Sequence, residues 1–203
     1  MGIKETGAAY DARAQEYTER FGHVAAIAGA DLAFVTRWRD TTAGLLLDAG
    51  CGPGHWVGVL GDGGRRVVGL DLSPRFLRTA RGRHPTVPFL LGSLGALPLR
   101  DGSVGGVLAW YSTIHTAPGQ LASLLAEVGR VLRPGGSVLL GVVDGEPGQA
   151  FDHAVATAYS WSVAALGTQL GAAGLEVVEH ERRHDDGLRP HAALVARRAP
   201  VAR

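Results

Sequence analysis

Short apolar runs alternate along most of the chain with stretches in which apolar residues recur at helical spacing. The apolar runs predict buried strands, and the helical spacing predicts amphipathic helices between them. The strands are predicted at 44–47, 66–70, 87–91, 104–110 and 137–143, and the helices at 56–60, 74–81 and 120–132. This alternation predicts an α/β fold whose parallel strands are joined by right-handed crossovers.

The two ends of the chain depart from this alternation. Helical spacing at 10–21 and at 24–39 predicts two helices before the first strand. Near the C-terminus, a predicted helix at 163–173 stops at a glycine, and 175–180 and 192–197 are predicted as strands joined by a polar stretch. The C-terminal end is therefore predicted to be hairpin-like.

A glycine-spaced turn follows the first predicted strand. Residues 48–55 are Asp-Ala-Gly-Cys-Gly-Pro-Gly-His, which predicts a strand ending in Asp48, a turn, and a helix starting at His55. Glycine at every second position leaves the backbone uncovered, so a ligand can lie against the main-chain amides. The second strand ends in Asp71, 23 positions after Asp48 and about one strand–helix–strand unit later. That spacing places Asp71 to bind a ribose diol.

The residues of this turn indicate which kind of nucleotide it binds. A dinucleotide-binding turn needs its third glycine where His55 stands. A pyrophosphate also needs free N–H donors and no nearby anion, whereas Pro53 removes a donor and Asp48 adds a carboxylate. S-adenosylmethionine has a ribose, and an ammonium group instead of phosphates, so it suits the turn better. An NAD(P)-dependent oxidoreductase is the less favoured alternative.

With these features the chain resembles a class I S-adenosylmethionine-dependent methyltransferase, similar to the ubiquinone/menaquinone-biosynthesis-like group. The resemblance lies in four segments and extends over most of the chain from about residue 40; the segments are 46–56, 68–77, 98–110 and 127–136. It implies a Rossmann-like, doubly wound, mostly parallel seven-stranded sheet with an antiparallel edge strand. We expect one domain over 1–203, consisting of a helical lid at 1–40, a cofactor-binding core at 41–145, and substrate-side and C-terminal strands at 146–203.

The resemblance implies a cofactor site at the carboxyl ends of the strands, beside the first strand. Asp48 is expected to face the cofactor's amino group, directly or through water, and Asp71 its ribose hydroxyls. Leu72 and Trp110 are expected to pack against the cofactor, although core packing alone would also explain them. The expected cofactor-binding residues are Tyr17, Asp48, Gly50, Cys51, Gly52, Gly54, His55, Trp56, Asp71, Leu72, Arg75, Ser93, Leu94 and Trp110.

Two positions depart from the family pattern. Ser93 stands where the family usually has an Asp that accepts the adenine amino group, and a hydroxyl is a weaker acceptor. The backbone N–H of Leu94 is the expected alternative contact. Gly106 stands where an acidic residue is common, so that role is unfilled. Both departures give weight to an alternative, a non-catalytic module that binds S-adenosylmethionine or S-adenosylhomocysteine.

Tyr111 and His115 follow the fourth predicted strand, where class I enzymes often place residues that face the substrate. A sulfonium donor already carries an activated methyl group, so the protein has to align the acceptor, exclude water and, where needed, remove a proton. We expect His115 or Tyr111 to accept that proton; a surface histidine is the alternative for His115. No metal is needed, and His180, His184 and His191 lie in a charged stretch that favours a solvated connection over a metal site.

Composition limits the partners and the compartment. The chain has 203 residues, 20 Lys and Arg, and 19 Asp and Glu, so its net charge of +1 predicts neither a nucleic-acid nor a membrane partner. The single Cys51 excludes an internal disulfide and suits a cytoplasmic location. No signal peptide is evident, and the apolar neighbourhood 24–35 is too short to span a bilayer. We expect a small-molecule acceptor; its identity and the oligomeric state do not follow from the sequence.

Overall fold

The computed structural model describes residues 3–200 and the side chains from residue 5 onward, residue 26 excepted. Its centre is a seven-stranded sheet with the strand order β3-β2-β1-β4-β5-β9-β8. The strands are β1 (Leu46–Ala49), β2 (Val67–Asp71), β3 (Phe89–Leu91), β4 (Val104–Trp110), β5 (Leu132–Val143), β8 (Leu175–Arg183) and β9 (His191–Arg198). The first five strands pair in parallel, so the expected doubly wound, mostly parallel seven-stranded sheet is confirmed.

The reversed strand of the sheet is β9, which pairs antiparallel with both β5 and β8. It lies one position inside the edge, and β8 forms the edge itself. The burial of the two strands explains this order. Strand β9 is buried at Ala192 and over 194–196, whereas β8 is buried only at Leu175 and is otherwise rich in Glu and Arg. Charged residues suit an exposed edge because they oppose pairing with another chain.

Helices cover both faces of the sheet. The helices are α1 (Ile3–Ala12), α2 (Ala14–Phe21), α3 (Gly29–Thr41), α4 (His55–Gly61), α5 (Pro74–Arg83), α6 (Pro118–Val131) and α7 (Val163–Ala172). Apolar side chains of α3, α4 and α5 form the core on one face, and those of α6 and α7 form the core on the other. The crossovers therefore bury the sheet between two helical layers, as parallel sheets require.

The N-terminal segment is more broken than the sequence predicts. Instead of two helices it forms α1, α2, a short 3-10 turn at Val24–Ala26, and α3. Arg13 interrupts the first predicted helix with φ −103° and ψ 10°. Its guanidinium pairs with Glu16 and donates to the carbonyl of Ala154, so a tertiary contact accompanies the break. Helix α3 packs into the core, while α1 and α2 lie over the carboxyl ends of the strands.

A second, two-stranded sheet was not predicted from the sequence. It pairs β6 (Ala150–Phe151) with β7 (Ala158–Tyr159) in antiparallel fashion, after β5. Strands of two residues are too short for an alternating pattern to reveal them. No helix within residues 3–200 combines the length and the apolarity needed to cross a bilayer.

Candidate active site

A cavity of about 370 Å³ lies at the carboxyl ends of the parallel strands, under α1 and α2. Parallel sheets place ligands at this edge, beside the first strand. Eleven of the residues expected from the sequence lie on its wall: Tyr17, Gly50, Gly52, His55, Trp56, Asp71, Leu72, Leu94, Trp110, Tyr111 and His115. The structure therefore brings together residues from the N-terminal helices, the glycine turn and the ends of β2 and β4.

The glycine turn needs residues without a side chain. Gly50, Gly52 and Gly54 have φ of +85°, +51° and +88°, in the left-handed region that favours glycine. A Cβ built on Gly50 would lie 2.3 Å from the Cβ of Ser112, so glycine allows the turn to approach the end of β4. A Cβ built on Gly52 would meet nothing within 4 Å. The backbone at Gly52 is therefore open to a ligand.

Asp71 joins the turn to the start of α5. Its two carboxylate oxygens accept hydrogen bonds from the backbone N–H groups of Gly52 and Ser73, each at 2.8 Å. Burial raises the pKa of Asp71, and the backbone donors, which favour the anion, oppose that shift. The carboxylate thus fixes the turn and lines the cavity at the same time.

Asp48 is buried behind the turn, not on the cavity wall. Burial, and then the charge of Asp71, raises the pKa of Asp48 to about 8. Its Oδ2 has no hydrogen-bond partner among the described residues, and the same holds for His55 Nδ1 and Ser112 Oγ. Buried polar atoms are nearly always satisfied, so three unpaired ones around one glycine turn indicate that a polar ligand or water completes the site.

A pH-linked affinity is expected from Asp48. With a pKa of about 8, its carboxyl is largely neutral at pH 7 in the free protein. A cationic ligand nearby favours the anion, so binding releases a proton, and affinity rises with pH by up to about tenfold per unit. We expect S-adenosylhomocysteine to bind more tightly at pH 7.5 than at pH 6, and Asp48→Asn to lose this dependence.

Calorimetry at several pH values, in buffers of different ionisation enthalpy, measures both the affinity and the released proton. Above about pH 8 the ligand's own amino group loses its charge, so the comparison stays below that value. Asp62→Asn is the matched control because Asp62 is exposed and lies at the end of α4. An unchanged slope in Asp48→Asn would contradict this role of Asp48.

Besides Asp48, four expected cofactor residues do not lie on the main cavity wall. Cys51 is buried in the core between the sheet and helices α3, α4 and α5, and burial raises the pKa of its thiol. Gly54 precedes α4, and its carbonyl accepts a hydrogen bond from Nε2 of His84. The exposed Arg75 faces Asp11, 3.4 Å from its carboxylate. These three residues shape the surroundings of the turn and do not contact the cavity.

Ser93 lines a second cavity of about 170 Å³ beside the first. The two cavities share five wall residues, Thr6, Leu72, Leu94, Ser112 and His115. The Oγ of Ser93 accepts a hydrogen bond from the N–H of Gly95 at 3.1 Å. The site therefore continues past Leu72 and Leu94 towards Ser93, beyond the end of β3.

The hydrogen bonds of His115 determine its tautomer. Nδ1 lies 2.9 Å from the carbonyl of Thr157, which can only accept, so Nδ1 carries the proton. Nε2 is therefore the acceptor of the 2.9 Å hydrogen bond from the Tyr10 hydroxyl. Burial lowers the pKa of His115, so its imidazole is neutral at pH 7. Nε2 is thus a basic nitrogen on the cavity wall.

Tyr111 has a different environment. Its φ is +53°, and in the described part of the chain no other non-glycine residue has a positive φ. Such a backbone conformation is uncommon away from glycine and is often found at functional sites. Burial raises the pKa of the phenol above its usual value, so the hydroxyl stays protonated. Tyr111 can donate a hydrogen bond in the cavity but is a poor proton acceptor.

Several wall residues were not expected from the sequence. They are Thr6, Tyr10, Phe21, Phe76, Ser112, Ile114, Val143, Phe151, His153 and Arg189. Tyr10 had a signal, its spacing of seven from Tyr17, although core packing explains such spacing equally well. Phe151, His153 and Arg189 come from late segments without a motif, and the fold alone brings them to the wall. Within residues 3–200, no cluster of His, Cys, Asp or Glu could hold a metal ion.

Comparisons with known proteins agree with this geometry. Residues 46–136 match a family model described as a methyltransferase domain. A malonyl-[acyl-carrier protein] O-methyltransferase of Serratia marcescens is 39% identical over 94 residues, which are 46% of this chain and 36% of that protein. The chain thus spans about a third of the length of this curated relative.

Solved structures share the fold over nearly the whole chain. The 1,6-didemethyltoxoflavin-N1-methyltransferase of Burkholderia thailandensis, with bound 1,6-didemethyltoxoflavin and S-adenosylhomocysteine, has a TM-score of 0.77 at 21% identity and covers 98% of this chain and 91% of its own. The magnesium protoporphyrin IX methyltransferase of Synechocystis PCC 6803 has a TM-score of 0.76 at 16% identity and covers 97% and 100%. The resemblance to class I S-adenosylmethionine-dependent methyltransferases expected from the sequence is confirmed: residues 46–136 match a methyltransferase domain, and the chain has the fold of solved methyltransferases.

Proposed function

We propose that the protein transfers a methyl group from S-adenosylmethionine to a small-molecule acceptor by in-line displacement. One observation supports this most: a buried carboxylate with an unpaired oxygen lies behind a glycine turn that a second buried carboxylate closes. This arrangement suits a ligand with a ribose and a cation, and its two carboxylates disfavour a pyrophosphate. The NAD(P)-dependent oxidoreductase is therefore the weaker alternative.

The residues of the site fit the parts of S-adenosylmethionine. Asp71 would accept hydrogen bonds from the ribose hydroxyls, and the open backbone at Gly52 would lie against the ligand. Asp48 would act on the ammonium group through its charge. Leu72 and Leu94 lie between the two cavities and would pack against the adenine. The cofactor, when bound, supplies a methyl group attached to a positively charged sulfur. After the transfer of the methyl group, this sulfur remains as a neutral thioether.

The aromatic wall would stabilise that positive charge. Trp56 and Trp110 contact each other edge to face at 5.5 Å between ring centroids, and both line the cavity. Aromatic faces attract cations, more strongly where water is excluded. The same rings exclude water from the reacting atoms, which strengthens every electrostatic interaction in the cavity.

We propose that His115, rather than Tyr111, accepts a proton from the acceptor. The neutral imidazole has its basic Nε2 on the wall, whereas the phenol of Tyr111 stays protonated. In the structure, the Tyr10 hydroxyl donates a hydrogen bond to Nε2. The methyl acceptor would either displace this hydroxyl from Nε2 or accept a hydrogen bond from it. No catalytic triad is required, because alignment of the reactants supplies much of the rate.

We propose that α1 and α2 form the lid, and that α3 belongs to the core. Asp11 on α1 accepts hydrogen bonds from the hydroxyl of Ser73 at 2.6 Å and from the N–H of Arg75 at 2.8 Å, at the start of α5. Tyr17 on α2 packs against Phe76 at 5.2 Å between ring centroids. The lid is thus attached on the side of the cavity where the cofactor would bind.

A non-catalytic binding module is the second candidate. Ser93, in place of an acceptor carboxylate, favours it. Gly106 does not, since a Cβ there would lie 2.6 Å from Thr42 and 2.9 Å from Trp38, which leaves no space for an acidic side chain. Incubation with S-adenosylmethionine tritiated at the methyl group and a broad panel of small acceptors separates the two. Transfer to a small acceptor supports the enzyme; binding with no transfer to any acceptor supports the module.

The remaining partners are proposals as well. The net charge of +1 supports a small molecule rather than a nucleic acid or a membrane surface as partner. We also propose a cytoplasmic location, on the basis of the single, buried, free cysteine. The division into lid, core and C-terminal part is proposed as one domain, because the sheet runs through the core and the C-terminal part.

A further inference from the structure

The charges around the cavity are unevenly distributed. On the side of the glycine turn lies Asp71, with Asp48 behind it. Arg189 precedes β9, four strands along the sheet from β2, which ends in Asp71, and it is the only Lys or Arg among the described residues of the wall. A cationic cofactor suits the part of the wall with the two acids, so the part with Arg189 is left for the acceptor. The sign of its charge predicts an acceptor of the opposite sign.

The exposed Arg189 stacks on an aromatic ring and has no ion-pair partner among the described residues. Its guanidinium stacks on the ring of Phe151, with Cζ 4.4 Å from the ring centroid. No carboxylate among the described residues lies within ion-pair distance of it. Asp144, whose backbone N–H donates to the carbonyl of Pro190, pairs with Arg182 at 2.7 Å, and Asp185 pairs with Arg183 at 2.8 Å. Stacking fixes the planar guanidinium while its N–H donors remain available to a planar anion.

The charge of Arg189 also affects the pKa of the neighbouring His153. His153 lies on the wall with its ring 5.0 Å from that of His115. Burial lowers the pKa of His153, and the neighbouring His115, Arg13 and Arg189, which oppose a further positive charge, lower it further. Both imidazoles are therefore neutral at pH 7, and Arg13 is paired with Glu16. Arg189 is thus the group on this side that can neutralise an anion.

Aromatic side chains form a large part of the wall. Tyr10, Tyr17, Phe76, Tyr111 and Phe151 all line the cavity, and none of them brings a charge at neutral pH. A flat ring can stack against such walls, and a cavity of about 370 Å³ that also has to hold the cofactor leaves space only for a small molecule.

We infer that the acceptor is a small aromatic acid and that Arg189 binds its carboxylate, placing the ring beside His115. This inference rests on the proposed methyl transfer and adds the chemical class of the acceptor. Arg189 acts as a specificity-determining residue that touches the substrate. If its only role is to stack on Phe151, the charge of the acceptor will not matter.

Matched pairs of ligands test this directly. Two pairs of ligands are titrated into protein saturated with S-adenosylhomocysteine. The first pair is 3,4-dihydroxybenzoate and 3,4-dihydroxybenzamide, and the second is 3-hydroxy-2-naphthoate and its amide. Each pair differs only in charge. We expect the parent protein to bind at least one acid at least about tenfold more tightly than its amide, the effect of one charge-assisted hydrogen bond.

Three variants assign the preference to one residue. Arg189→Gln is expected to lose the preference for the acid, and Arg189→Lys to keep part of it. Arg197→Gln changes the net charge equally on the exposed surface of β9, away from the cavity, and is expected to behave like the parent. An unchanged affinity for S-adenosylhomocysteine in Arg189→Gln shows that this variant is folded.

The possible failures are distinguishable. If the parent binds S-adenosylhomocysteine but no acid, or binds amides as well as acids, the acceptor class is wrong and the proposed methyltransferase stands. If Arg189→Gln keeps the preference, another group binds the anion and the role of Arg189 is wrong. If S-adenosylhomocysteine itself does not bind, the proposed function fails.

Discussion

Replacement of Asp71 by asparagine is expected to weaken the binding of S-adenosylhomocysteine by at least about 100-fold. The carboxylate accepts hydrogen bonds from the N–H groups of Gly52 and Ser73, and it is placed for the ribose diol. Asparagine keeps the shape but turns an NH₂ group towards one of these donors and loses the charge. Charge-assisted hydrogen bonds contribute about 1.5–3 kcal/mol each, so loss of one or two explains this factor.

Calorimetric titration measures the change, with the melting temperature as a check of folding. Asp62→Asn serves as the control, because it removes an exposed acid at the end of α4 and leaves the cavity intact. A folded Asp71→Asn protein with the affinity of the parent would show that the second strand does not bind the ribose.

Replacement of His115 by glutamine is expected to lower kcat by about 10²- to 10⁴-fold, the usual contribution of a general base. Glutamine can still form hydrogen bonds at this place but cannot take up a proton. The pKa of His115 is lowered by burial, so the parent's kcat should rise as pH increases through a value below 6.5 and then stay level around pH 7. This rising limb should be absent in the variant.

The measurement uses an acceptor found in the tritium assay, with kcat and KM determined across the pH range. Tyr111→Phe is the contrasting variant, and we expect it to keep the rising limb because its phenol does not accept the proton. A change in KM alone for His115→Gln, with kcat and the pH profile unchanged, would give His115 a binding role only.

The fold could be predicted from the sequence because its signals are local. Buried parallel strands are continuous apolar runs, and each crossover helix shows its own periodicity. The position of β9 inside the sheet is not local, since it depends on how its buried residues pack between β5 and β8. The break at Arg13 escaped prediction for the same reason, because the contact with Ala154 spans most of the chain.

The candidate site divides in the same way. The glycine turn and the two acids were identifiable because strand ends and glycine spacing determine where they lie. Arg189 was assigned to a solvated connection, because a polar stretch gives no sign that its cation stacks on Phe151 at the cavity. Arg75 was expected to bind the cofactor, yet it faces Asp11 on α1, a partner that only the tertiary structure supplies. The roles of the individual site residues remain predictions.

The most direct test of the account is competition between two ligands for the purified protein. S-adenosylhomocysteine is titrated by calorimetry in the absence and in the presence of excess NAD. We expect saturable binding of one S-adenosylhomocysteine per chain, unaffected by NAD, because two buried carboxylates favour a ligand with an ammonium group over one with a pyrophosphate. Displacement by NAD, or no binding of S-adenosylhomocysteine at all, would contradict it.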